Sequence, residues 1–249
     1  MGNALFEKIY PLTMNDRDWC NRLTPTAILN LAQDAALRHS KELHVGFDDL
    51  FSNGYLWVLV RLKYEVVTEN ISNLNEVKVI SWPITPRGME LSRDFKILSS
   101  TGEDLIIGTS LWVIIDINSK TIQRSTVIEY NISEFINKRS FLQPLKKLPL
   151  NERVVKIASV PYVVTYNEID PNRHMNNTKY ASAITNLLTL DQDENIKSFE
   201  INYLKEMKYQ EILELSEVRE DNVIEITGRN KGVVSLRARV IIKEENDRN

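Results

Sequence analysis

The apolar positions of the chain follow two periods, one typical of helices and one typical of strands. A helical spacing begins after Thr24-Pro25, where threonine can cap a helix and proline suits its first turn. Its apolar positions are Ala27, Ile28, Leu31, Ala32, Ala35 and Ala36, and this spacing predicts a long buried helix. A second helix is predicted after Asn176 or Asn177. Its apolar face comprises Tyr180, Ala181, Ile184, Leu187 and Leu188.

Segments rich in β-branched and aromatic residues follow each predicted helix. In the first half these predicted strands are Leu56–Val67, Glu76–Trp82, Met89–Leu98 and Leu105–Ile117. In the second half they are Ser198–Leu204, Glu211–Arg219, Val223–Asn230 and Val233–Lys243. Each half therefore reads as a strand, a helix and a series of mostly antiparallel strands. This order predicts the α+β class, with a curved antiparallel sheet packed around one long helix.

The two halves repeat the same order of elements, which indicates an internal duplication. Asp18–Pro25 aligns with Asp170–Asn177 at an offset of 152 residues, directly before the predicted helix in both cases. Prolines and charged residues between the two patterns favour a linker. We predict a first domain over residues 1–135, a linker over 136–153 and a second domain over 154–249.

Composition narrows the classes of function. The 249 residues are 43% hydrophobic and 26% charged, which is typical of a chain that folds around a core. A formal charge of −3 offers no general attraction for nucleic acid. Cys20 is the single cysteine, no histidines and cysteines have zinc-ligand spacing, and neither a signal peptide nor a membrane span is evident. We expect a cytoplasmic protein without metal or cofactor.

The segment from Asp170 to Tyr180 carries the most distinctive chemistry, because an acid, amides and an imidazole precede a helix. A helix N-terminus presents unpaired N–H groups and partial positive charge, so it can stabilise the oxyanion formed when a thioester is attacked. The backbone amides near Asn176, Asn177 and Thr178 are the candidate oxyanion donors. This loop is the candidate catalytic site.

The pattern Asp-x-Asn-x-His-x-Asn-Asn-x-x-Tyr from Asp170 to Tyr180 closely resembles a motif of plastid and bacterial acyl-acyl-carrier-protein (acyl-ACP) thioesterases. Tyr203-Leu204-Lys205-Glu206 resembles their second signature, and Leu56–Arg61 resembles part of their first half. The resemblance implies two tandem hot-dog domains and hydrolysis of acyl-ACP. Plastid members often carry cysteine after the glutamate, where this chain has Met207, so a cysteine nucleophile is excluded here.

Direct attack by water remains, with four candidate catalytic residues. Glu206 would be the general base, since burial in an apolar sheet can raise a carboxylate pKa, and His174 would share that role or orient the water. Asn172 would position water or carbonyl. Asp170 would hold the loop and the imidazole tautomer.

The first copy lacks this chemistry, since Cys20 and Arg22 stand where the second has Asn172 and His174. The resemblance implies that this half binds the acyl chain instead. The candidate substrate-binding residues are Trp57, Leu59, Leu31 and Trp82. The candidate carrier-binding residues are Arg173, Lys179, Lys205 and Lys208, whose charge would attract an acidic carrier protein.

Structural roles remain open for the same side chains. Asp170 and Asn172 could form only an Asx turn, Asn176 or Asn177 only a helix cap, and the basic residues only a solvated surface. His39 and His44, at the end of the first helix, are interpreted as structural. The alternative functions are an acyl-coenzyme A thioesterase, an acyl-thioester hydratase and a non-catalytic acyl-thioester-binding protein. The oligomeric state, monomer or homodimer, stays open as well.

Overall fold

The structure is a computed structural model, and it describes residues 2–68, 72–151, 153, 159–188, 190–192 and 194–244. The chain forms two compact units, residues 1–145 and residues 146–249. Residues 154–158, where the predicted second domain begins, lie outside the described residues.

The first unit combines one long helix with an antiparallel sheet. Its elements are β1 (Phe6–Pro11), α1 (Pro25–Glu42), α2 (Phe47–Ser52), β2 (Tyr55–Val66), β3 (Glu76–Pro83), β4 (Leu91–Leu98), β5 (Asp104–Asp116) and β6 (Ile122–Gln123). The five longer strands are ordered β2-β5-β4-β3-β1, and every adjacent pair is antiparallel. The short strand β6 pairs with β5.

Helix α1 starts as its sequence predicts. The Thr24 hydroxyl accepts the N–H of Ala27, and Pro25 occupies the first helical position. The predicted apolar positions are buried, and α1 packs against β1 and β3. Alanines dominate this buried face, so the helix axis can approach the sheet closely.

The second unit repeats this arrangement. Its elements are β7 (Val160–Val163), α3 (Asn177–Leu187), β8 (Glu194–Tyr203), β9 (Ile212–Glu220), β10 (Val223–Asn230) and β11 (Val233–Glu244). These strands are ordered β8-β11-β10-β9-β7, which matches β2-β5-β4-β3-β1 strand for strand. The predicted duplication is therefore confirmed at the level of topology.

Close cross-strand packing requires glycine at one position of each sheet. Phe95 on β4 is paired with Gly108 on β5, and a Cβ at Gly108 would lie 2.0 Å from the Phe95 ring. In the second unit, a Cβ at Gly228 would lie 2.8 Å from Leu236 and 2.9 Å from Leu213. Only a residue without a side chain lets these large apolar groups cross the neighbouring strand.

A long helix against an antiparallel sheet in each half is the hot-dog arrangement. The predicted α+β class with two tandem hot-dog domains is confirmed. No described helix has both the length and the apolar character needed to cross a membrane.

Candidate active site

A tight turn before α3 holds the residues of the Asp170 motif. The Asp170 N–H donates to the His174 carbonyl at 2.8 Å, and the Arg173 N–H donates to the Asp170 carbonyl at 2.9 Å. Asp170 Oδ1 accepts the N–H groups of Asn172 at 2.9 Å and His174 at 3.2 Å. Arg173 completes the turn with a φ of 65°, in the left-handed region. The carboxylate of Asp170 therefore stabilises the turn by accepting two of its backbone N–H groups.

Three hydrogen bonds tie the start of α3 to β8 and the segment after it. The Met175 N–H donates to the Met207 carbonyl at 2.8 Å, and the Met207 N–H donates to the Tyr180 hydroxyl at 3.1 Å. The Tyr203 hydroxyl donates to the Asn177 carbonyl at 2.9 Å. Burial raises the pKa of Tyr180 and Tyr203, so both hydroxyls stay protonated. The apolar face predicted for the helix included Tyr180, but the hydrogen bonds of the two tyrosine hydroxyls were not foreseen, although both residues lie within the two motifs.

These bonds bring together the two side chains that the sequence places 32 residues apart. His174 Nε2 lies 3.1 Å from Glu206 Oε1, a hydrogen-bonding distance. The side chain of Glu206 is 58% exposed and that of His174 is 31% exposed. The expectation that Glu206 is buried in an apolar sheet is wrong, because it follows β8 rather than lying within it.

Asp170 and Asn172 lie in the same turn but differ in their surroundings: Asp170 bonds the backbone, and Asn172 is exposed. Among the described residues, the Asp170 carboxylate bonds backbone amides and does not reach the imidazole, so the proposed control of the tautomer is wrong. Its role in holding the loop agrees with these bonds. Asn172 is exposed on the turn, and its side-chain amide remains open to solvent.

The helix N-terminus offers fewer oxyanion donors than the sequence suggests. The Asn176 N–H donates to the Glu168 carbonyl at 2.7 Å, and the Thr178 N–H donates to Asn176 Oδ1 at 2.9 Å. Both amides are therefore engaged, because Asn176 is the N-cap of α3. Within the described chain, the Asn177 N–H forms no hydrogen bond and is the remaining candidate donor.

The same loop occurs in the first unit with different side chains. Asp18 Oδ1 accepts the N–H groups of Cys20 and Arg22, each at 2.9 Å. Asn21 has a φ of 63°, like Arg173 at the matching position. Arg22, at the position of His174, pairs its Nε with Asp18 Oδ2 at 2.9 Å. The first unit therefore keeps the loop and replaces the imidazole.

A buried carboxylate beside the loop was missed from the sequence. Glu168 accepts the N–H and the hydroxyl of Thr165 at 2.7 and 3.0 Å, and it also accepts the Tyr162 hydroxyl. The spacing of Thr165 and Glu168 is that of a capping box, which was the available signal. Its bonds fix the entry to the Asp170 turn.

The four predicted carrier-binding residues are close in sequence to His174 or Glu206. Arg173 lies in the turn next to His174, Lys179 lies in the first turn of α3, and Lys205 and Lys208 are within two residues of Glu206. Lys179 is half-buried and the other three are exposed. No ion pair engages any of them within the described residues.

Comparison with known proteins identifies the family of this chain. The model of the acyl-ACP thioesterase N-terminal domain matches residues 3–131, and that of the C-terminal domain matches residues 151–244. The chain belongs to the acyl-ACP thioesterase family.

Named relatives and solved structures agree with this family membership. A chloroplastic dodecanoyl-[acyl-carrier-protein] hydrolase from Umbellularia californica is 27% identical over 202 residues, which is 75% of this chain and 52% of the relative. The chain thus spans about half the length of the curated relatives it matches.

Two solved structures share its fold. A 12:0-ACP thioesterase from U. californica has a TM-score of 0.85 at 20% identity, with 98% of this chain and 99% of that chain covered. An acyl-ACP thioesterase from Bacteroides thetaiotaomicron has a TM-score of 0.84 at 21% identity, with 96% and 98% covered.

In this member of the acyl-ACP thioesterase family, the predicted substrate-binding residues of the first unit separate into two groups. Trp57 lines a small cavity of about 50 Å³ between α1 and the sheet. Leu31, Leu59 and Trp82 are buried core residues outside its lining, and the Trp82 Nε1–H donates to the Lys138 carbonyl at 2.9 Å. Their assignment to a substrate tunnel with Trp57 therefore stays a prediction.

No metal centre is formed by the described residues, since no three of their His, Cys, Asp and Glu side chains are grouped to hold an ion.

Proposed function

We propose that this chain is an acyl-ACP thioesterase, which hydrolyses the thioester of a fatty acyl-carrier protein to a free fatty acid and the carrier thiol. The observation that carries the proposal is the contact between His174 Nε2 and Glu206 Oε1 at 3.1 Å. It joins the motif that precedes α3 to the motif that follows from the end of β8.

In this mechanism, the His174–Glu206 pair removes a proton from a water molecule as the water oxygen attacks the thioester carbonyl. The carbonyl π electrons move onto oxygen, and the Asn177 N–H at the start of α3 stabilises that oxyanion. When the tetrahedral intermediate collapses, the C–S bond breaks and the sulfur takes up the proton. Because Glu206 and His174 are in direct contact, they act together as one base.

Asp170 and Asn172 support this reaction in different ways. Asp170 holds the turn that presents the imidazole, through its bonds to the backbone of Asn172 and His174. The exposed amide of Asn172 would orient the attacking water or the thioester carbonyl.

Carrier recognition is assigned to the basic residues around the pair. Arg173, Lys179, Lys205 and Lys208 would attract an acidic carrier protein and place its phosphopantetheine arm near His174. In the same proposal the first unit, which has Arg22 in place of the imidazole, binds the acyl chain rather than catalysing its release.

Hydrolysis of acyl-ACP substrates of graded chain length tests the proposal. We expect release of both free thiol and free fatty acid by the wild-type protein, and loss of both in Glu206→Gln. Glu214→Gln, which changes an exposed glutamate on β9, is the matched control. Intact acyl-ACP after prolonged incubation with the folded wild type would contradict the proposal.

Parallel assays separate the alternatives. Faster hydrolysis of acyl-coenzyme A than of acyl-ACP would favour a coenzyme A thioesterase, and water addition to an unsaturated acyl thioester would favour a hydratase. Binding without turnover would favour a sensor. Cytoplasmic location and the choice between monomer and homodimer stay predictions.

A further inference from the structure

Tyr180 on α3 places a buried hydroxyl against the backbone next to Glu206. The side chain is 2% exposed, and its oxygen accepts the N–H of Met207 at 3.1 Å. Met207 is fully buried and directly follows Glu206 in the chain. Burial raises the pKa of Tyr180, and the charges of Glu206, Glu211 and Asp170 raise it further. The group is therefore a neutral phenol at working pH.

The bond to Met207 fixes the peptide unit that begins at Glu206. A peptide unit is planar, so the N–H of one residue and the carbonyl carbon of the preceding residue move together. The Tyr180 hydroxyl thus holds the plane that starts next to the Cα of Glu206. The corresponding plane after His174 is held as well, because the Met175 N–H donates to the Met207 carbonyl at 2.8 Å. Both members of the pair are therefore anchored through the peptide that follows them.

The side chain of Glu206 depends strongly on this anchor. It is 58% exposed, and within the described chain His174 is the side chain that pairs with its carboxylate. An exposed carboxylate with so few contacts takes its position from the backbone that carries it. A misplacement of about 1 Å can cost about 10²-fold in rate, so a small shift of this backbone is sufficient to affect hydrolysis.

The first unit shows that the turn forms without this hydroxyl. At the offset of 152 residues, Ile28 stands at the position of Tyr180, and Arg22 stands at the position of His174. Ile28 is 1% exposed on the buried face of α1, and the turn before it keeps both N–H bonds to Asp18. The phenol is thus present in the unit that has the imidazole and replaced in the unit that lacks it.

We propose that Tyr180 is a positioning residue for thioester hydrolysis, whose hydroxyl keeps the Glu206 carboxylate within reach of His174 by holding the Met207 N–H. Tyr180 acts through Glu206 and exchanges no proton with the substrate. This inference rests on the proposed function, because it assigns a residue to the same reaction.

Tyr180→Phe tests the role, since it removes the hydroxyl and keeps the ring. With acyl-ACP, its kcat should be about 10–100-fold below wild type and its KM within about twofold, because loss of positioning affects turnover rather than carrier binding. Tyr10→Phe is the control. It removes another buried hydroxyl, which donates to Asp34 Oδ2 at 2.8 Å in the first unit, and should keep the wild-type kcat. Circular dichroism normalises each rate to folded protein.

The Glu206→Gln background separates positioning from general stability. If the hydroxyl acts through the carboxylate, adding Tyr180→Phe to Glu206→Gln should lower kcat by less than about twofold. An equal loss in both backgrounds would show a purely structural role and overturn the inference. Wild-type kcat in Tyr180→Phe, with hydrolysis lost in Glu206→Gln, would refute this inference and leave the proposed function intact. A folded wild type without hydrolysis would refute both.

A second variant covers the case in which Tyr180→Phe fails to fold. 3-Fluorotyrosine at position 180 keeps the ring and the hydroxyl but makes the oxygen a weaker acceptor for the Met207 N–H. It should lower kcat for acyl-ACP without changing KM. An unchanged kcat in this folded variant would overturn the inference.

Discussion

His174 Nε2 lies 3.1 Å from Glu206 Oε1, although His174 precedes α3 and Glu206 follows β8 in the second unit. The next residues in sequence, Met175 and Met207, form a backbone hydrogen bond in which the Met175 N–H donates to the Met207 carbonyl over 2.8 Å. This bond holds the loop before α3 against the segment after β8. The pair is thus positioned by the backbone on both sides. A side-chain substitution can therefore remove its chemistry without removing its scaffold.

We expect His174 and Glu206 to act as one unit in hydrolysis. His174→Ala and Glu206→Gln should each lower kcat for acyl-ACP by about 10²–10⁴-fold, since a positioned base contributes that much. The double variant should be little worse than either single variant, because residues of one unit are strongly non-additive. Losses that simply multiply, or near-normal turnover in both single variants, would contradict the assignment.

Asp170→Ala and Asp18→Ala form a matched pair, since both carboxylates accept two backbone N–H groups of the same turn. Each change removes the acceptor and leaves two backbone N–H groups without a partner. It should lower the free energy of unfolding of its own unit by about 1–3 kcal/mol. Only Asp170→Ala should also lower kcat, because only its turn presents an imidazole. Circular dichroism during urea unfolding and steady-state hydrolysis measure the two effects. An equal loss of kcat in Asp18→Ala would show that the effect is general destabilisation.

Reversal of the exposed charges beside Glu206 should weaken carrier recognition. The double variant Lys205→Glu/Lys208→Glu is expected to raise the KM for acyl-ACP about tenfold at low salt, with a smaller effect at high salt because salt screens exposed charges. Hydrolysis of a small acyl-pantetheine thioester should change little, which separates docking from chemistry. Lys41→Glu, an exposed change in the first unit, is the control. Unchanged KM for acyl-ACP at low salt would exclude these two lysines from docking.

His39 should make the first unit acid-sensitive. Burial, with a further contribution from Arg93, lowers the pKa of His39 from 6.5 to about 4. Between these values the unfolded chain binds a proton that the folded unit does not, so the free energy of unfolding falls as pH decreases from about 6.5 toward 4. In His39→Gln, which can still accept from Arg93 and donate to Asn3, this fall should be shallower. Urea midpoints followed by tryptophan fluorescence at pH 7.5 and pH 5 measure the difference, and parallel pH dependences would contradict it.

Most of the fold could be predicted from local signals in the sequence. The Thr24-Pro25 cap and the apolar spacing after it identified α1, and the strands from β2 to β5 and from β8 to β11 were found within a few residues of their ends. The short strands β1, β6 and β7 and the helix α2 were not delimited. Val160 and Val163 of β7 are exposed, so that strand is defined by pairing with β9 rather than by a buried apolar pattern.

The candidate site was predicted less completely. Residue types and motif order identified Asp170, Asn172, His174 and Glu206, but not which amides at the start of α3 are engaged. The exposure of Glu206 and the bonding of Asp170 to the backbone also differ from expectation. Arg93 escaped notice because a charged residue within a strand normally indicates a solvent-facing position, whereas alternation with Leu91 and Phe95 places it on the buried face.

Three features follow directly from the amino-acid order: the duplicated order of helix and strands, the capped loop before each long helix and the loss of the imidazole in the first copy. Each of these depends on residues close together in the chain, where period, capping and turn preferences act. The contact between Glu206 and His174 and the burial of Arg93 against His39 and Ser81 emerged only once the chain was folded. Those relationships depend on strand pairing and burial, which arise between residues distant in sequence and leave no local pattern to read.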